Sequence, residues 1–150
     1  MRLYLRRQDG FTFLESLLVL SIVIVLISIS IVKLSPVKER QIMTHFIHQL
    51  TDDLLYAQQY AMSSNQSVKV IFFPADYYYR IVGTKAPTEI VNRKYDPAIE
   101  IRNWAIGNTV TFTRTGTISS SGTYAISYKG RERYSLVFQI GFGRFYVQKL

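Results

Sequence analysis

Hydrophobic and polar positions follow three successive periods along this 150-residue chain. Residues 16–32 carry no charge and are mostly Leu, Ile and Val. As a helix, residues 11–34 extend about 36 Å at ~1.5 Å per residue, enough for a hydrocarbon core of about 30 Å. A helix is required there because lipid offers the backbone no hydrogen bonds. Ser35-Pro36 is expected to interrupt this helix, since proline removes a backbone donor and can kink a helix or restart it. Beyond it, Ile42, Met43, Phe46, Ile47, Leu50, Leu54, Ala57 and Ala61 recur at three- and four-residue steps, with Asp52, Gln58 and Gln59 on or beside the polar face. That spacing predicts an amphipathic helix ending near Ser63, so that residues 11–63 form one rod of about 80 Å.

From Val68 the period becomes two. Val68, Val70 and Phe72 alternate with Lys69 and Ile71, Pro74-Ala75-Asp76 turns, and Tyr77, Tyr79 and Ile81 alternate with Tyr78, Arg80 and Val82, which predicts a hairpin. Residues 83–87 read as loop, 89–94 as a weak strand and 99–104 as a short one. Further strands are expected at 110–113, 117–119, 123–128, 133–140 and 144–148, separated by turns at Gly116, Ser121-Gly122, Lys129-Gly130 and Gly141-Phe142-Gly143. The fold class is therefore α+β: a long N-terminal helix, half transmembrane and half amphipathic, packed on a mostly antiparallel C-terminal β domain.

Composition adds limits. Without cysteine the outer domain has no disulfide and no thiolate metal site, so its core must hold it, and most of the chain's 11 Tyr and 9 Phe and its 1 Trp lie there to be buried. The net charge of +8 permits contact with polyanions without requiring it. His45 and His48 share a helix face, but no third ligand stands near them in sequence, and they read as polar surface positions. There is no Gly-x-Ser-x-Gly elbow, and Gly141-Phe142-Gly143 lacks the third glycine and following helix of a nucleotide fingerprint. No enzymatic activity, metal or cofactor is expected.

The N-terminus is the most informative stretch. Arg2, Arg6 and Arg7 precede the apolar run and bias it toward a cytoplasmic start, although Lys33, Lys38 and Arg40 beyond it weaken the contrast. A plain single-span anchor fits, and so does a secretory signal peptide cut near Ser28-Ile29-Ser30. Glu15 fits neither well, because an unpaired carboxylate at the apolar end of a span costs about 2–4 kcal/mol.

Gly10-Phe11-Thr12-Phe13-Leu14-Glu15-Ser16-Leu17-Leu18-Val19-Leu20 resembles the N-terminal motif of type IV pilins and pseudopilins. Phe112, Gly116-Thr117-Ile118, Ser121-Gly122-Thr123, the ending Leu136-Val137-Phe138-Gln139-Ile140-Gly141-Phe142-Gly143-Arg144, and Leu50-Thr51-Asp52-Asp53-Leu54-Leu55-Tyr56-Ala57-Gln58-Gln59-Tyr60-Ala61 are similar to minor pseudopilins of the competence pilus, of the ComGD type and the related GspH/FimT class. The resemblance implies a leader at 1–10, a transmembrane and assembly helix at 11–34, an amphipathic helix at 35–64 and a pilin domain at 65–150. It also implies that a prepilin peptidase cuts between Gly10 and Phe11 and that Phe11 is N-methylated. Glu15 would then pair with the N-terminal amine of a neighbour, and a paired carboxylate is tolerable where an orphan is not. Loss of residues 1–10 removes three arginines and one aspartate and leaves 15 basic and 9 acidic residues, a net +6.

Two readings of function follow. In the first, the chain is a minor pseudopilin of a competence type IV-like pilus. It would be inserted in the cell membrane with a cytoplasmic N-terminus before processing, then assembled at the cell surface with other major and minor pseudopilins into the fibre that takes up DNA in natural transformation; a type II secretion-like system is the variant. In the second, the subunit itself touches DNA. Lys129, Arg131, Arg133, Arg144 and Lys149 lie among Tyr128, Tyr134 and Tyr146, a combination suited to phosphates and stacked bases, though equally to a solvated sheet face.

Overall fold

The computed structural model describes residues 12–85, 88–103, 107–141 and 143–150, with the backbone alone for residues 29–36 and Glu132. The expected leader, Gly10 and Phe11 lie outside the described residues, as do Trp104 and Phe142. The chain divides into two units, Met1–Lys38 and Glu39–Leu150.

Helix α1 covers Phe13–Ser63. Its backbone remains helical at Ser35-Pro36, contrary to the expected interruption. Proline deletes one donor of the helical ladder, and the residues on either side keep their own. Ser28-Ile29-Ser30 is likewise helical. Among the described residues no helix is long and apolar enough to cross a membrane. Part of the span expected at 11–34, namely Phe11 and the side chains of residues 29–34, lies outside that description.

In the second unit all strand pairs are antiparallel. One sheet has β1 (Val68–Phe73), β2 (Tyr78–Gly83), β3 (Glu89–Lys94) and β5 (Thr109–Phe112), in the order β3-β2-β1-β5. The other has β4 (Ile99–Asn103), β6 (Gly122–Tyr128), β7 (Glu132–Phe138) and β8 (Phe145–Lys149), in the order β4-β6-β7-β8. The strand expected at 117–119 is reduced to a single bridge, Phe112 to Ile118. The tight turn at Gly116 returns the chain directly onto β5, leaving too few residues for a ladder. β7 stops at Phe138 rather than 140: the Gln139 N–H to Arg144 carbonyl bond at 2.9 Å is the last in register with β8 before the chain turns at residues 140–143.

One core joins these elements. Met43, Phe46, Leu50, Leu54, Ala57 and Ala61 form the buried stripe of α1. They meet Val68, Val70, Phe72, Tyr79 and Ile81 from one sheet and Ile99, Ile101, Tyr124, Ile126, Leu136 and Phe138 from the other. The sheets touch through aromatic rings: Phe72 and Tyr124 lie 4.9 Å apart by centroid, and Phe112 and Phe145 lie 6.4 Å apart. Each large side chain buried here contributes about 1.5–3 kcal/mol. Leu54→Ala, at a position with no exposure, is expected to destabilise the domain by about 2–5 kcal/mol, read as a lowered unfolding midpoint in denaturant with an unchanged slope.

Candidate functional site

The N-terminal end of α1 is set by Thr12, whose Oγ1 accepts the Glu15 N–H at 3.3 Å and whose carbonyl accepts it at 3.0 Å. Thr12 is thus an N-cap. It places the exposed Glu15 carboxylate in the first turn, where the helix dipole favours negative charge. Beyond it the apolar side chains face outward on all sides: Phe13 is 80% and Leu14 75% exposed, and Leu17, Leu18, Leu20, Ile24 and Ile27 are exposed as well. The hydroxyls in this stretch turn inward along the helix. Ser21 Oγ donates to the Leu18 carbonyl and Ser28 Oγ to the Ile24 carbonyl, each at 2.8 Å, so they present no unpaired donor to an apolar partner. An exposed apolar surface this continuous marks an interaction surface.

Three polar side chains of the second unit make contacts that the sequence reading did not give. Asp53, 8% exposed, accepts the Tyr79 hydroxyl at 2.7 Å and Arg93 Nε at 3.2 Å, tying α1 to β2 and β3. Burial pushes the Tyr79 hydroxyl far above the ordinary phenol range, and its bond to Asp53 adds to this. Gln58, expected on or beside the polar face, is half-buried and donates through Nε2 to the carbonyls of Gly116 at 2.8 Å and Gly143 at 2.9 Å. One amide therefore pins both the β5–β6 and β7–β8 loops. Gly143 allows the approach, since a Cβ there would lie 2.0 Å from the Gly116 oxygen. Gln66 Oε1 accepts the Lys85 N–H at 2.6 Å. The available signal was Asp53 itself, a carboxylate three residues after Leu50 and four before Ala57, within the apolar stripe.

The five basic positions do not form one patch. Lys129 Nζ lies 3.1 Å from Glu39 Oε1, and Arg131 Nη1 is 3.9 Å from Glu39 Oε2. The bond to Glu39 raises the Lys129 ammonium above its ordinary value. Arg133 follows on the exposed side of β7, and Lys149 Nζ stands 5.6 Å from the Tyr134 ring centre. Arg144 sits across from Gln139, which is six residues beyond Arg133 on the same strand path, or about 20 Å at ~3.4 Å per residue, so Arg144 lies at the other end of the sheet. His45 and His48 are exposed on α1, and among the described residues no group of three or more His, Cys, Asp or Glu is placed to hold a metal ion.

Tyr79→Phe is expected to cost about 1–3 kcal/mol, because it strips a donor from a buried carboxylate. Tyr95→Phe is expected to be nearly neutral, since the Tyr95 hydroxyl is buried with no hydrogen-bond partner among the described residues. Burial pushes the Tyr95 and Tyr124 hydroxyls up to about 12, against about 10 in an unfolded chain. The folded state holds these protons more tightly. Their contribution is therefore complete below about pH 10 and is lost as pH rises toward 12, which denaturant titrations at stepped alkaline pH check.

Against known proteins, the family described as Type II transport protein GspH matches residues 47–142. The chain is 29% identical over 149 residues to the competence protein ComGD of Bacillus subtilis (strain 168), covering 99% of each chain. Its fold is similar to that of the minor pseudopilin EpsH from the Type 2 Secretion System of Vibrio cholerae, with a TM-score of 0.56 and 13% identity over 68% of this chain and 92% of that one. It is also similar to the type IV minor pilin FimU of Pseudomonas aeruginosa (strain PAO1), with a TM-score of 0.61 and 19% identity over 73% and 90% of the two chains. At such identities these two structures speak to the fold alone, and that fold is pilin-like.

Proposed function

Since the chain belongs to the GspH family, we propose that it is a minor pseudopilin of a competence type IV-like pilus, needed to assemble the fibre that takes up DNA in natural transformation. The carrying observation is the similarity to ComGD, which extends over 99% of both chains and so includes the N-terminal segment as well as the globular part. The likeness to EpsH, at 13% identity, supports the fold and gives no reason to prefer a secretion machine.

In this reading the precursor lies in the cell membrane with residues 1–10 on the cytoplasmic side. A prepilin peptidase cuts the Gly10–Phe11 bond, and the new amine at Phe11 is methylated. Helix 11–34 then leaves lipid for the company of other pseudopilins' helices. The all-round apolar exposure of the described part of that helix supports this, because such a surface suits lipid and a bundle of like helices equally well. Glu15, held in the first turn by the Thr12 cap, offers its carboxylate to a neighbour's N-terminal amine. That pairing offsets the cost of placing the charge in an apolar setting. Direct DNA contact is not carried forward, because the five cations are divided between two ends of a sheet and two of them share Glu39.

N-terminal mass analysis of the mature protein, with and without prepilin peptidase, is expected to give a chain beginning at methylated Phe11 only when the enzyme is present. Glu15→Ala should be cleaved normally yet be lost from sheared fibres, and its cells should transform poorly. A mature chain that retains residues 1–10, or begins at Ile31, would refute the proposal.

A further inference from the structure

Two antiparallel sheets leave four outer edges, and three of them are protected. β3 carries Glu89, Arg93 and Lys94, and its pairing with β2 shifts register at Ile81/Val82. β4 carries Glu100 and Arg102, paired to each other at 3.0 Å. β5 is covered by its own loop, through Thr113 N–H to the Thr117 carbonyl at 2.8 Å and Ser119 N–H to the Thr111 carbonyl at 3.0 Å. Charge, bulges and covering loops are the usual means of keeping a sheet edge from pairing with another chain.

Among the described residues β8 shows neither a register shift nor a backbone bond from a covering loop, and no charge along its middle. It reads Phe145-Tyr146-Val147-Gln148-Lys149, pairs regularly with β7 and has a single charge at its end. The ladder bonds Leu150 N–H to the Arg133 carbonyl and Gln139 N–H to the Arg144 carbonyl fix the alternation. Even-numbered residues of β8 bond to β7, so the N–H and C=O groups of Phe145 and Val147 point away from the sheet. Beside the start of this edge runs a shallow groove lined by Leu55, Gln58, Arg144, Phe145 and Tyr146. Leu55 and Tyr146 are each nearly half exposed. Among the described side chains of β8 and the groove none is acidic, while Arg144 and Lys149 stand at the two ends of the strand.

We propose that β8 is a docking edge for an extended segment of another protein subunit, which adds to it as a fifth strand with apolar residues at alternate positions and carboxylates at its flanks. Main-chain bonds at Phe145 and Val147 would supply the affinity, and the groove and the flanking cations the selectivity. The cations also argue against a second copy of this chain, which would bring its own Arg144 and Lys149 and a like net charge to the same edge. In naming a fellow fibre subunit as the occupant, the inference rests on the function proposed above.

The test places benzoylphenylalanine at Gln148 on β8, and separately at Asn92 on β3, in the full-length chain within competent cells. Irradiation is expected to link the Gln148 probe to a different protein, through a peptide that has Asp or Glu on both sides of an apolar alternation; the Asn92 probe should yield no such product. Val147→Pro removes only the outward N–H, a change an edge strand tolerates, and should lower the product at least about tenfold, as should Lys149→Glu, with leader cleavage unchanged. If Val147→Pro misfolds, Lys149→Glu decides alone. Equal cross-linking from Asn92, a product joining two copies of this chain, or a yield indifferent to both substitutions in a cleaved protein would overturn strand addition. An uncut leader would instead sink the fibre reading, whatever the cross-link shows.

Discussion

The stripe Met43, Phe46, Leu50, Leu54, Ala57 and Ala61 must be removed from water, and the structure from Glu39 onward is arranged to do so. A single four-stranded sheet would cover part of the stripe and leave its own far edge residues wet. Two sheets, in contact through Phe72 against Tyr124 and Phe112 against Phe145, close over the whole of it. Ala57 and Ala61 matter as much as the large residues. Both are fully buried in the last turns of α1, where Gln58 reaches the Gly116 and Gly143 carbonyls.

Burial on this scale is non-directional, so it does not by itself fix how the helix is seated. Polar side chains supply the direction. Asp53 meets Tyr79 and Arg93, Gln58 holds two loops, Gln66 receives the Lys85 amide, and Glu39 receives Lys129 and Arg131. Each buried polar group that has found a partner would lose it if the helix slid by a residue, and leaving such a group unpaired costs about 1–3 kcal/mol. Specific seating therefore comes from a few bonds whose individual net value is small. The exposed end of α1 has the opposite character. The described hydroxyls of Ser16, Ser21 and Ser28 bond within the helix, and the described apolar side chains between Phe13 and Ile27 are exposed.

Periodicity carried most of the architecture. Steps of three and four marked the buried stripe, and alternation marked the hairpin of β1 and β2, because side-chain direction repeats every 3.6 residues in a helix and every two in a strand. The same logic failed where a local turn overruled the pattern, at 117–119 beside Gly116 and at 139–140 beside the β7–β8 loop. Helix continuity at Ser35-Pro36 was also misjudged, since one missing donor is a weaker constraint than the punctuation suggested.

The sequence by itself determined the fold class, the apolar run with its leading motif, and which face of the amphipathic helix and of β1, β2 and β7 turns inward. These depend on neighbours a few positions away along the chain. Only the tertiary structure decided that Gln58 is a two-loop clamp, that the buried Asp53 joins the buried Tyr79 to the exposed Arg93, and that five basic residues near one another in sequence are split across a sheet. A strand that turns back sends residues close in number to opposite ends, and it brings Glu39 to Lys129 across 90 positions. Such meetings are set by chain path and strand register, which no local pattern records.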